Sequence, residues 1–180
     1  MPRIVLFDAD VISHFIVNHK LYLLPAICDP HKIMIFDAVY IETILIESRK
    51  EIIDQFLSDS GINVTPFPAD NIDINREFAL IKRQSPVIGD GERALLSHAR
   101  FKDDVIASSN FSDIASYCER NHIDYLGTLD LLAIALKKGI LTTDDCNNFI
   151  IEAIAKNRAR FPSGAVKISD YHCTKLNMLD

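Results

Sequence analysis

The run Ile4-Val5-Leu6-Phe7-Asp8-Ala9-Asp10 sets two carboxylates directly behind four apolar residues. Carboxylates placed together can hold a hard divalent cation or move a proton. A short continuous apolar run that stops at acidic residues reads as a buried strand of a parallel sheet, and such a strand delivers Asp8 to the sheet's carboxyl edge. That edge is where α/β proteins build their sites. Asp10 stands before the apolar stretch 11–17 and reads equally well as the N-cap of a helix there.

Two further acids share a helical face with apolar residues. At 100° per residue, Glu42 falls between Leu45 and Ile46, in the arc that also holds Val39 and Ile41. Glu92 falls with Leu95, Leu96 and Ala99, while Arg93, Ser97 and Arg100 cluster elsewhere. A carboxylate on a buried stripe is costly unless it is paired, protonated or bound to a metal. An ion pair with a buried Arg is the structural alternative for Glu42, and a favourable place in the helix dipole is the alternative for Glu92. Asp90 reads as the N-cap of that second helix, with Gly89 and Gly91 easing the turn into it.

A fourth polar stretch, Ser108-Ser109-Asn110-Phe111-Ser112-Asp113, follows the apolar residues Val105-Ile106-Ala107. Asn110 as N-cap with Asp113 three residues on has the form of a capping arrangement. A helix starting at a sheet's carboxyl edge also points amide groups at any bound phosphate, so Ser108 and Asn110 are candidate phosphate contacts and Asp113 a candidate site acid.

The elements that must position these residues alternate along the chain. The pattern predicts strands near 4–7, 33–36, 62–67, 105–107 and 123–126. It predicts helical segments near 11–19, 21–28, 37–56, 70–83, 90–101, 111–120, 128–138 and 143–157, with a turn at Asp29-Pro30 and a break at Ser85-Pro86. Repeated helix and strand units imply an α/β fold, a three-layer α/β/α sandwich with a central, mainly parallel sheet. A single domain over residues 1–160 with a C-terminal tail over 161–180 is the expected organisation.

With 180 residues and 48% hydrophobic content, the chain can bury one well-packed core. No apolar stretch approaches the roughly 20 residues of a bilayer span, so a cytoplasmic protein without membrane contact is expected. Cys28, Cys118, Cys146 and Cys173 include no Cys-x-x-Cys pair, which points away from a zinc cluster or redox dithiol. A net charge of −6 argues against nonspecific coating of nucleic acid. It is compatible with a nuclease whose acids hold cations, and Lys82-Arg83, Lys137-Lys138 and the set Lys156, Arg158, Arg160 are local clusters able to hold a nucleic-acid backbone.

Taken in order, Asp8, Glu42, Glu92 and the Ser-x-Asn-x-x-Asp stretch resemble the PIN-domain nucleases, in which four such acidic positions converge on Mg²⁺ or Mn²⁺. Gly127-Thr128 and Lys137-Lys138-Gly139-Ile140-Leu141 are similar to patterns in one PIN branch, so the resemblance spans roughly residues 3 to 142. Two departures stand out: Glu92 occupies a position where Asp is common, and Ser108-Ser109 stands where other members carry a pair of Asp. The resemblance implies a PIN-like fold and a metal-dependent ribonuclease, with Asp8, Glu92 and Asp113 as metal ligands and Glu42 completing the catalytic set. It also implies an RNA substrate and, for a toxin role, a cognate antitoxin protein; a homodimer is a further expected assembly. Alternatives are a non-catalytic PIN-like binding module, and a haloacid dehalogenase-like phosphatase suggested by Asp8-Ala9-Asp10-Val11. For the phosphatase the order is wrong, since Gly89-Asp90 precedes Ser108.

Overall fold

The computed structural model covers residues 1–180 and describes every backbone position and every side chain except those of Asp113 and Ser163. Five strands, β1 (Ile4–Phe7), β2 (Lys32–Phe36), β3 (Val64–Thr65), β4 (Val105–Ala107) and β5 (Asp124–Leu126), form one parallel sheet in the order β3-β2-β1-β4-β5. β1 is central, and from Val5 on it suits that place: Val5, Leu6 and Phe7 are each 0% exposed. It pairs with β2 on one side (Val5 opposite Ile33) and with β4 on the other (Phe7 opposite Ala107). The chain leaves β1 toward β2 and returns on the far side as β4, so the strand order reverses at β1. The carboxyl ends of β1 and β4 therefore flank the crevice in which open α/β sheets bind ligands.

Helices α1 (Ala9–Val17), α2 (Leu24–Cys28), α3 (Asp37–Ile44), α4 (Lys50–Ser60), α5 (Ile72–Gln84), α6 (Asp90–Ala99), α7 (Phe111–Asn121), α8 (Thr128–Lys137) and α9 (Thr143–Asn157) flank the sheet. α1 packs on α3 and α9, and α3 packs on α6, which brings the starts of the site-bearing elements to one edge. The α/β class and the parallel sheet are as the alternation predicts.

Three details differ from expectation. The helix expected over 37–56 is two helices, because the chain leaves the helical path after Ile44 and re-enters it through a short 3-10 turn at Glu47–Arg49. Ile41, Leu45 and Ile46 consequently face solvent at 56%, 78% and 47% exposure, and α3 buries Val39 and Thr43 instead. The strand expected over 62–67 is reduced to Val64–Thr65 at the sheet's edge. Gly89, not Asp90, caps α6, and Asp90 sits in the first turn paired with Arg93.

Residues 161–180 lack long elements but are fastened to the rest. Tyr171 donates its hydroxyl to Asp130 at 2.7 Å, Lys175 donates to the Tyr125 carbonyl at 2.7 Å, and Leu179 is completely buried. Lys137 pairs with Asp180, and Lys138 donates to the carbonyls of Ile27, Asp29 and Leu179, so this basic pair ties the tail to the rest of the domain instead of offering a nucleic-acid surface. Among the described residues no single helix is long and apolar enough to cross a membrane.

Candidate active site

At the end of β1 the backbone N–H of Asp8 donates to the Ala107 carbonyl at 2.9 Å, which sets Asp8 beside the end of β4. Asp8 is the N-cap of α1: its Oδ1 accepts from the Ala9 amide at 2.8 Å and its Oδ2 accepts from the Ser108 hydroxyl at 2.9 Å. Asp10 lies in the first turn, where its Oδ2 accepts from the Ser109 amide at 2.9 Å and its Oδ1 from the Val11 amide. The capping role expected of Asp10 thus falls to Asp8, and Asp10 is free to face the crevice. A hydrogen-bonded chain continues to the buried Thr128 and His14, with Ser109 Oγ 2.6 Å from Thr128 Oγ1 and Thr128 Oγ1 2.8 Å from His14 Nδ1.

Glu42 reaches the same crevice for a reason the helical wheel does not contain. Its Oε1 accepts from the Gly91 amide at 3.0 Å, at the amino end of α6, where exposed N–H groups and the helix dipole favour a carboxylate. A Cβ on Gly91 would stand 2.7 Å from Glu42 Oε2, so the absence of a side chain there is what admits the carboxylate. Glu92, 8% exposed and packed with the buried Leu95, Leu96 and Ala99, accepts from the Gly89 amide at 3.4 Å. Gly91→Ala is expected to preserve or raise thermal stability, since Ala is favoured in a helix by up to about 1 kcal/mol. It should nevertheless lower activity by about tenfold by displacing Glu42, and a melting curve with a parallel cleavage assay checks both signs.

Asp8, Asp10, Glu42 and Glu92 line one open cleft of about 830 Å³. Burial, reinforced by the neighbouring Asp10 charge and opposed by the Ser108 hydrogen bond, pushes Asp8 up to about 8. Burial, with Glu92 adding repulsion, pushes Asp10 up to about 7. Among the described residues, neither Asp8, Asp10 nor Glu42 forms an ion pair with Lys or Arg. Their donors are neutral amides and a hydroxyl. Hard oxygen ligands crowded without a cation suit Mg²⁺ or Mn²⁺ in kind. In spacing they stand apart: among the described residues, no three His, Cys, Asp or Glu side chains are gathered into a group able to hold a metal ion. The donor set therefore fits an ion held by one or two carboxylates and completed by water and phosphate, which is the habit of Mg²⁺.

The remaining expected residues divide. Ser108 is fully buried with its hydroxyl on Asp8, so it orients that carboxylate and does not face the cleft. Asn110 holds the N-cap position of α7 and lines the cleft, its backbone N–H donating to Ser108 Oγ at 3.2 Å and its Oδ1 accepting from the Ser112 hydroxyl at 3.0 Å. Asp113 falls within α7, and its side chain lies outside the described residues. The cleft also takes in Asp10, for which the sequence leaves cap and site roles open, His14, which no motif singles out, and residues 157–162, of which the sequence marks Arg158 and Arg160 as part of a basic cluster. Burial, with Arg49 second, pushes His14 down to about 4 and so keeps it neutral near pH 7.

No family model matches the sequence, and no curated protein is matched by it. Among solved structures, the chain is similar to a chain in the crystal structure of VapBC2 from Rickettsia felis bound to a DNA fragment from their promoter. The TM-score is 0.52 with 16% sequence identity, over 69% of this chain and 98% of that one. A likeness at that identity concerns the fold. The fold is PIN-like, as the order of the motifs implies.

Proposed function

We propose that this protein is a metal-dependent ribonuclease that hydrolyses RNA phosphodiester bonds, the toxin of a pair with a cognate antitoxin. The observation that carries the reading is the convergence of Asp8, Asp10, Glu42 and Glu92 on one cleft at the carboxyl ends of β1 and β4, where among the described residues the first three form no ion pair with Lys or Arg. The PIN-like fold supports it, and the VapBC2 neighbour supports pairing with an antitoxin.

Asp8 and Asp10 would hold Mg²⁺ or Mn²⁺ directly in this reading, with Glu92 reaching it through water and the substrate phosphate completing the shell. Such a cation supplies charge for the phosphate oxygens and lowers the pKa of a bound water. Glu42, fixed by the Gly91 amide, is placed to orient the attacking water. Ser108 and Ser109 hold Asp8 and Asp10 in position through a hydroxyl and an amide, as supporting partners of ligating carboxylates do.

The test is incubation of the purified chain with a mixed RNA pool and, separately, a small phosphomonoester, with Mn²⁺ or with chelator. Cleavage of RNA in Mn²⁺ alone is expected. Turnover of only the phosphomonoester would support the phosphatase reading, and tight RNA binding without cleavage in Mn²⁺ would make the protein a binding module.

A further inference from the structure

The floor of the cleft is acidic, yet one wall carries two arginines. Arg158 and Arg160 line the same cleft as Asp8 and Asp10, both are exposed, and among the described residues neither makes an ion pair. Their segment is a fixed wall. Arg49 donates to Asn157 Oδ1 at 2.8 Å and to Ser13 Oγ at 2.6 Å, which anchors the end of α9 to α1. The Ala159 amide donates to the Ala153 carbonyl at 3.2 Å, and the buried Phe161 ring packs edge-on against His14 at 5.7 Å. Phe161 is buried and Ala159 half-buried, while Arg158 and Arg160 are exposed.

An RNA strand approaching four carboxylates in a chain of net charge −6 meets repulsion, and guanidiniums fixed at the rim offset it where the strand must lie. Arginine's fork also matches phosphate geometry. We infer that residues 157–162 form a clamp for the backbone of single-stranded RNA, in which Arg158 and Arg160 bind phosphates flanking the one presented to the carboxylates. This inference rests on the nuclease reading above. It makes the two arginines positioning residues and gives the cleft a direction, with the strand running from its acidic floor across this wall.

The backbone of Arg158 offers a clean test. It sits at the C-terminus of α9 with φ +52°, a left-handed position that glycine adopts without steric cost. Arg158→Gly/Arg160→Gln should therefore remove both charges without loss of thermal stability. Binding of a short, labelled single-stranded RNA of mixed sequence is measured in chelator across a salt series, so that no cleavage intrudes. The double variant is expected to bind on the order of tenfold more weakly at moderate salt. Its log Kd against log salt slope should fall by about 1.4, two phosphate contacts at about 0.7 each. Lys156→Ala, on the same helix but paired with Glu152 and outside the cleft, should match wild type. An unchanged slope and Kd in the double variant, with metal-dependent cleavage by wild type intact, overturns the clamp and leaves the nuclease reading standing. A wild type that neither binds nor cleaves RNA overturns both. Arginine-dependent binding of a polyglutamate peptide, with RNA binding indifferent to the arginines, overturns the clamp in favour of an acidic protein partner.

Discussion

Asp8→Asn is expected to reduce RNA cleavage by orders of magnitude while raising the melting temperature of the metal-free protein. The two signs come from one cause. Asp8 is 4% exposed and lies near the charges of Asp10 and Glu42, so its carboxylate is costly without a cation. Asn keeps the shape and can keep the Ala9 amide bond that caps α1. It loses the charge that repels its neighbours, and with it the oxygen donor that a cation needs. The Ser108 hydroxyl, which donates to Oδ2 and accepts from the Asn110 amide, has to turn if an amide nitrogen replaces that oxygen, and this offsets part of the gain. Added Mn²⁺ should raise the melting temperature of wild type more than that of the variant, since a ligand stabilises only the state that binds it. Asp8→Ala is the control: it removes repulsion and cap together, and losing the cap costs about 1 kcal/mol. If Asp8→Asn melts well below wild type, the carboxylate is there to hold the fold, and its place in the proposed site is lost.

The parts of this arrangement that were legible in the sequence are those set by local periodicity. A four-residue apolar run ending in Asp reads as a buried strand with Asp8 at its exit, as it is, and the wheel that puts Glu92 among Leu95, Leu96 and Ala99 describes their common burial. Glu42 was reached by an argument that fails. The wheel identifies an apolar face but not whether another element covers it, and on α3 that face, Ile41 and the following Leu45 and Ile46, is exposed. What draws Glu42 inward is the amide of Gly91, 49 residues away. Asp10 stays ambiguous in the sequence because Asp8 and Asp10 both have the chemistry of a cap, and only the backbone path at Asp8 (φ −94°, ψ 157°) decides between them. Arg158 and Arg160 stand out in the sequence as part of a basic cluster able to hold a nucleic-acid backbone, but their place on the wall of the acidic cleft does not. A tail without periodicity takes its course from tertiary contacts, here Arg49 with Asn157 and Phe161 with His14, and no local pattern encodes them.

The stability of the metal-free protein is expected to fall as pH rises from about 4 to about 8 and to stop falling above that range. Asp8 is pushed up to about 8 and Asp10 to about 7, both chiefly by burial, against an ordinary value of 3.8. Between the ordinary and the raised values the native state retains protons that the unfolded chain has released. The derivative of unfolding free energy with pH follows the protons bound in the unfolded state minus those in the native state, and here it is negative. Each retained proton contributes a loss of about 1.4 kcal/mol per pH unit at most. The stabilisation from the protonated pair is thus complete below about pH 4 and is gone once both groups ionise in the folded protein. Other carboxylates work in the opposite direction at the acidic end: hydrogen bonds from Lys50 and Tyr40 hold Asp54 below its ordinary value, and Thr142 does the same for Asp145, so their contributions are lost as pH falls through their lowered values. The net profile should therefore peak in mildly acidic solution and decline through neutrality. Urea unfolding in chelator at a series of pH values measures it. Asp8→Asn should flatten the decline, and saturating Mn²⁺ should abolish it by making the ionised carboxylates the favoured form. A metal-free wild type whose stability is level from pH 5 to 8 would mean that Asp8 and Asp10 ionise without penalty, and the crowding that motivates the metal site would not exist.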